Sequence, residues 1–137
     1  MVGERRLTLV PAGSLRHARR MAKMEHFEIP ADDIERARDF YRSVLEFEYE
    51  PWGDEMGMLR QPDGDGVDGD LHVRGPVTHP TVVFTVESIE DTVAAAVAAG
   101  GEQVGDIQPL GETSRWVYLR DSEGNVIGLF DERGTAA

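Results

Sequence analysis

The stretch HFEIPADDIERARDFYRSVLEFEY, residues 26–49, changes its period partway along. It opens by alternating as a strand does, with Phe27 and Ile29 on one side and His26 and Glu28 on the other. Pro30 and Ala31 read as a turn, and Asp32 with Glu35 three residues later forms a capping-box-like helix start. Ile34, Ala37, Tyr41, Val44 and Leu45 then recur on one helical face, with the Phe40–Tyr41 pair read as helix core. Phe47 to Trp52 alternates again. Strand, helix and strand follow one another within a single short run.

Outward from this run the same order continues and then repeats. Gly57 to Arg60 suggests a strand, Gln61 to Gly66 is a turn-rich loop, and Val67 to Val73 is a fourth strand. Thr81 to Val86 restarts the pattern. Ser88 and Asp91 repeat the cap, Ile89, Val93, Ala96 and Val97 repeat the apolar stripe, and Gly100-Gly101 ends the helix. Strands follow at about Gln103–Ile107, Arg115–Leu119 and Val126–Phe130. An offset of 55 pairs Asp32 with Glu87, Ile34 with Ile89 and Glu35 with Glu90, so the order of elements repeats more clearly than the residues do. Two βαβββ modules, each too small to bury both faces of its sheet, are expected to pair. The predicted fold is α+β, with cupped mixed sheets around a central cleft and helices outside.

Domain organisation follows from the same reading. Residues 1–23 form a basic extension, read as disordered; residues 24–134 form one domain, with modules at about 24–76 and 79–132; residues 135–137 are a tail. The extension holds six basic residues against the single acid Glu4, whereas from Met24 onward eight arginines face 25 acids, a net charge of −17. Such a surface repels nucleic acid and resembles adaptation to high salt. With no cysteine, disulfides, thiolate nucleophiles and Cys-ligated zinc are excluded. The one lysine, Lys23, falls in the extension, which excludes a lysine Schiff base in the domain. No apolar run approaches the roughly 18 residues of a membrane span. A cytoplasmic protein with neither nucleic-acid nor membrane partners is expected.

These residues resemble the vicinal oxygen chelate superfamily, the glyoxalase, bleomycin-resistance and extradiol dioxygenase group. The carriers are the opening stretch and RDSEGNVIGLF at residues 120–130, supported by GVDGDL and VESIEDTVAAAVAAGG, and the resemblance spans about residues 24–132. It implies the paired-module fold, a homodimer and a small-molecule ligand in the cleft. In metal-dependent members it implies a divalent ion held by four positions, in the first and last strand of each module. Those positions here are His26, Asp70, Thr81 and Gly128. His26 matches and Asp70 offers a shorter carboxylate than the usual Glu. Thr81 is a poor ligand, and Gly128 has no side chain, which would leave a half-emptied site and a roomier pocket. The cofactor expectation is therefore either none or one divalent metal ion, with His26 and Asp70 as an incomplete ligand set.

Alternation assigns the remaining candidates. His26 and Glu28 share the cleft face as candidate catalytic groups, His26 as ligand, base or donor and Glu28 as a carboxylate acid/base partner. Asp70 and His72 face the cleft on the fourth strand, and His79 lies roughly 6–7 Å before Thr81 by strand rise. Thr81, Trp116, Tyr118, Gly128 and Phe130 complete the candidate ligand-binding set, with Trp52 as a further aromatic wall and Arg120 facing an anionic group. Competing structural roles are a satisfied strand histidine, a solvated glutamate and an acidic Gly-rich loop entering a strand at residues 63–72. Three functions remain open at this level: a small-molecule-binding protein without the usual metal site, a lyase, isomerase or oxygenase using a rearranged or acid–base site, and an interaction module.

Overall fold

The computed structural model describes residues 22–132. The expected extension, apart from its last residues, and the tail at 135–137 lie outside the described residues. Ten elements follow in chain order. Module one comprises β1 (Lys23–Ala31), α1 (Ile34–Leu45), β2 (Glu48–Pro51), β3 (Met56–Arg60) and β4 (Gly69–Val73). Module two comprises β5 (Thr81–Thr85), α2 (Ile89–Ala98), β6 (Glu102–Leu110), β7 (Ser114–Arg120) and β8 (Val126–Asp131). No helix among the described residues is long and apolar enough to cross a membrane.

The strands form one eight-stranded mixed sheet in the order β2-β3-β4-β1-β5-β8-β7-β6. Within each module the first strand pairs in parallel with the last, β1 with β4 and β5 with β8. The modules join edge to edge where β1 runs antiparallel to β5. The two half-sheets are thus continuous, and the helices pack on the outer face, α1 against β2 and β4 and α2 against β6, β7 and β8.

Outward-facing residues build the core. In module two Val86, Ile89, Val117, Leu119 and Leu129 form a buried cluster, joined by Phe84, Val93 and Ile127. In module one Leu59 and Leu71 are fully buried. There Phe27 lies over Gly69 and meets Phe47 edge-on at 6.0 Å, a close approach that a Cβ on Gly69 would block. The alternation read from β1, β4, β5 and β8 therefore holds in the packing.

Several local expectations need correction. Pro30 and Ala31 extend β1 instead of turning, since the parallel ladder with β4 runs to Ala31 opposite Val73. The α1 cap is Asp33, whose carboxylate accepts from the Arg36 N–H at 3.0 Å, one residue beyond Asp32. Lys23 opens β1, so a lysine does stand in the sheet. Phe40, Val44 and Leu45 are more than half exposed, because α1 turns only Ile34, Ala37, Arg38 and Tyr41 toward the sheet. The second cap is as expected: Ser88 Oγ accepts from the Asp91 N–H at 3.2 Å. Gly100, at φ 98°, closes that helix in a conformation that favours glycine.

A buried carboxylate ties α2 to the sheet. Asp131, fully buried at the end of β8, accepts from the Ile89 N–H at 2.9 Å and from Arg115 Nε and Nη2 at 3.0 and 2.6 Å. Arg115 also grips Glu90 at 2.5 and 2.9 Å, and this guanidinium holds the Glu90 carboxyl down at about 2. Arg115→Ala removes the guanidinium from a buried carboxylate and is expected to cost about 3 kcal/mol in urea denaturation. The Glu90 pair, half exposed, contributes less than about 1 kcal/mol. Because the folded-state pKa is lowered, its contribution is complete above Glu90's ordinary value of 4.5 and is lost as pH falls toward 2. Denaturation between pH 5 and 2 should show a flatter acid limb in Glu90→Gln than in the unmodified chain.

Candidate functional site

The junction of the modules sets the site. Opposite Asp70 on β4 and Thr81 on β5 stands the same residue of β1, Glu28, so these three side chains share the inner face at one level. A register shift between Met24 and His26 places His26 opposite Val83, and Val83 is itself opposite Gly128. Gly128 pairs in turn with Tyr118 on β7. Bulges of this kind recur beside sites because they re-aim a side chain.

Five polar side chains converge there. His26 Nε2 lies 3.6 Å from Asp70 Oδ2 and 3.9 Å from Glu28 Oε1. His72 Nδ1 donates to Asp70 Oδ1 at 3.0 Å, a carboxylate being acceptor-only, and stands 3.7 Å from Glu28 Oε2. The Tyr118 hydroxyl crosses from module two to donate to Glu28 Oε2 at 2.5 Å. Histidines and carboxylates therefore alternate around a ring, with the phenol at one corner. Asp70 is buried, and His26, Glu28 and His72 are mostly covered.

The electrostatics follow from that packing. Burial raises the Glu28 carboxyl first, and the neighbouring Asp70 charge raises it further, while Tyr118 and the two histidines pull it back. The hydrogen bond to Asp70 raises His72 against the opposing effect of burial. Burial and the Glu28 charge push Tyr118 far above the phenol range, so it stays a donor.

Module two contributes an apolar wall. Val83 is buried, and Trp116 packs edge-on against Tyr118 with centroids 5.3 Å apart. Phe130 lies opposite both Thr85 and Trp116. Met58, opposite Asp70 on β3, faces the same side; sequence reading missed it, although alternation in β3 against the buried Leu59 would have found it. Of the other candidates, Trp52 is exposed in the β2–β3 turn, His79 is exposed before β5, and Arg120 pairs with Glu102.

The four-position ligand set does not fit a metal ion. The Thr81 hydroxyl donates to the Val126 carbonyl at 2.5 Å, tying it to the β8 backbone. A Cβ on Gly128 would stand 2.8 Å from Val83 Cγ2, so Val83 fills the expected roomier pocket. A surface hollow of about 350 Å³ lies instead on the outer side, between α1 and the end of β1, lined by Ile29, Ala37, Phe40, Tyr41, Arg36 and Arg74. The converging titratable groups are on the inner face, and chemistry places the candidate site there.

Residues 23–129 match the model of the Glyoxalase/Bleomycin resistance protein/Dioxygenase superfamily, and the chain belongs to that family. A search of curated proteins finds no match. Among solved structures, a superfamily member from Vibrio splendidus 12B01 is 20% identical, covering 82% of this chain and 99% of its own at TM-score 0.58. Methylmalonyl-CoA epimerase from Mycobacterium tuberculosis is 18% identical, covering 84% and 95% at TM-score 0.59. The Mn(II)-bound glyoxalase from Novosphingobium aromaticivorans is 19% identical, covering 81% of this chain and 38% of its own at TM-score 0.57. At these identities the likeness is one of fold.

The Gly128–Val83 contact gives a direct test. Gly128→Ala is expected to destabilise the chain by about 1–3 kcal/mol through overpacking against a short branched side chain. In a Val83→Ala background the same change should cost clearly less, a coupling that a double-mutant cycle in urea reads.

Proposed function

We propose that the chain binds a small oxygenated molecule on the inner face of its sheet, between the polar ring of module one and the apolar wall of module two. The observation that carries this reading is the convergence of His26, Glu28, Asp70, His72 and Tyr118 beside Val83, Trp116 and Phe130. A few convergent polar groups against an apolar surface orient a ligand while burying its body. Thr81 and Gly128 serve as floor, one tied to backbone and the other leaving room for Val83. A homodimer and a cytoplasmic location belong to the same proposal, on the family resemblance.

A second reading, catalysis, is favoured by the state of Glu28. A carboxyl raised by burial and held beside His26 suits proton transfer to or from a bound substrate. Two similar folds bear enzyme names, an epimerase and a glyoxalase, which supports this reading by analogy alone.

The test is a fragment screen by protein-observed NMR in buffer containing EDTA. Ligands with an apolar body and paired oxygens should shift resonances of β1, β4 and β7. Glu28→Gln should weaken them about tenfold or more, as loss of a charge-assisted hydrogen bond implies. Binding that maps to the α1 face, or that Glu28→Gln and Trp116→Ala leave unchanged, overturns the proposal. Turnover of a bound compound that Glu28→Gln abolishes would establish the second reading.

A further inference from the structure

The helices leave part of the outer face uncovered. α1 packs over β2 and β4 and α2 over β6, β7 and β8, so the seam strands β1 and β5 lie between them. Along that seam the outward side chains Phe27, Ile29, Val82 and Phe84 are only half-buried. Met24 shares the face of Phe84, its partner across the ladder, and is more than half exposed. Phe47, just beyond α1, meets Phe27, so the last turn of α1 lies level with the first half of β1. Phe40 lines the outer hollow of about 350 Å³ together with Ile29, and Val44 follows one turn later, both more than half exposed. Singly such residues are ordinary. In one run from Met24 to the hollow they form an apolar patch of the kind that marks an interaction surface.

The chain itself supplies a fitting occupant in residues 1–21. β1 opens with Lys23 opposite Thr85, so the preceding chain starts beside Val86 and Glu87, at the Met24 end of the strip. Residues 1–21 can reach roughly 70 Å when extended, whereas Met24 to Ala31 spans about 23 Å by strand rise. They carry five arginines against the single acid Glu4, a net charge of +4 with His17 neutral, and face a domain of net charge −17 from Met24 onward. A second copy would instead bring another surface of −17 to the strip. Arg16, Arg19 and Arg20 come closest to β1, where Glu25 and Glu87 are exposed, and Leu7, Leu9 and Val10 stand further back. Arg36 and Arg74 lie at the opposite end of the strip, where Asp32 holds Arg74 at 2.9 Å. We propose that residues 1–21 dock on the outer face of their own chain as a strap along the β1–β5 seam. Leu7, Leu9 and Val10 cover Phe40, Val44 and the hollow, and the three arginines meet Glu25 and Glu87. A tethered segment acts at an effective concentration of about millimolar, so a contact weak between separate molecules suffices to hold it.

The test uses the full chain. It has no cysteine, so Leu9→Cys places a nitroxide spin label at one position. In isotope-labelled protein, broadening by the label is expected to be strongest at the amides of Met24, Phe40 and Val44. It should be weaker at the Trp116 indole N–H on the inner face. Phe40→Glu with Val44→Glu, both at exposed positions, should abolish the pattern, and Arg19→Glu with Arg20→Glu should reduce it. Circular dichroism confirms that each variant is folded, and the arginine pair keeps the test decisive if the helix variant is not. When spin-labelled chain is mixed with isotope-labelled chain that bears no label, no broadening is expected. Broadening in that mixture places the segment on a second copy and overturns the proposal. So does broadening that is strongest on the inner face, absent altogether, or indifferent to both pairs of substitutions. None of these readouts depends on a ligand at the polar ring.

Discussion

Two carboxylates on neighbouring strands must share the inner face at one level, and much of the site is arranged around that repulsion. The parallel pairing of β1 with β4 sets Glu28 beside Asp70, and no change of rotamer takes either residue to the other face. Each is compensated from a different direction. A histidine two residues along β4 takes one Asp70 oxygen, and a tyrosine from the other module takes one Glu28 oxygen. His26 stands between the two oxygens that remain. The hydrogen bond from Tyr118 is therefore more than a local contact, because it fastens module two to the charge problem of module one across the β1–β5 seam.

The two modules repeat the same order of elements but divide the labour. Asp131, Arg115 and Glu90 anchor α2 firmly, and Ile89 at its first turn is fully buried. In α1 no residue is buried, and Phe40, Val44 and Leu45 remain largely in solvent. Module two thus has the better-anchored helix and the apolar wall, while module one holds the clustered histidines and carboxylates. Thr81 and Gly128, the positions at which the family resemblance implied ligands, are occupied otherwise, one bonded to the β8 backbone and the other packed by Val83. Gly128 is best understood with Val83: the missing Cβ is the space into which a neighbouring methyl packs.

Much of the fold was legible because it rests on periodicity. Alternation in β1, β4, β5 and β8 assigned the correct faces, and the repeated caps and stripes gave two equivalent modules. Errors arose where a tertiary contact overrode a local signal. Pro30 and Ala31 carry turn chemistry, yet the ladder to β4 keeps them extended. Asp32 and Asp33 compete for one cap, and Asp32 is instead drawn into an ion pair with Arg74 at 2.9 Å. The stripe on α1 named five residues, but the sheet beneath reaches only part of it. In the site, residue lists were legible and distances were not. Nothing in the sequence reveals the register shift beside His26, the reach of Tyr118 to Glu28, or the packing of Val83 into Gly128.

That Thr81 is tied to backbone and Gly128 bears no side chain also changes what Glu28 means. In a set spread over both modules, a carboxylate two residues from His26 would be a neighbour of the site, available as acid or base. With Thr81 tied to backbone and Gly128 bare, the same carboxylate is instead a corner of the polar ring itself, 3.9 Å from His26 and bonded to Tyr118. Tyr118 occupies one Glu28 oxygen with a proton donor and leaves the other facing His26, so the carboxylate that module one must compensate is held in place by module two.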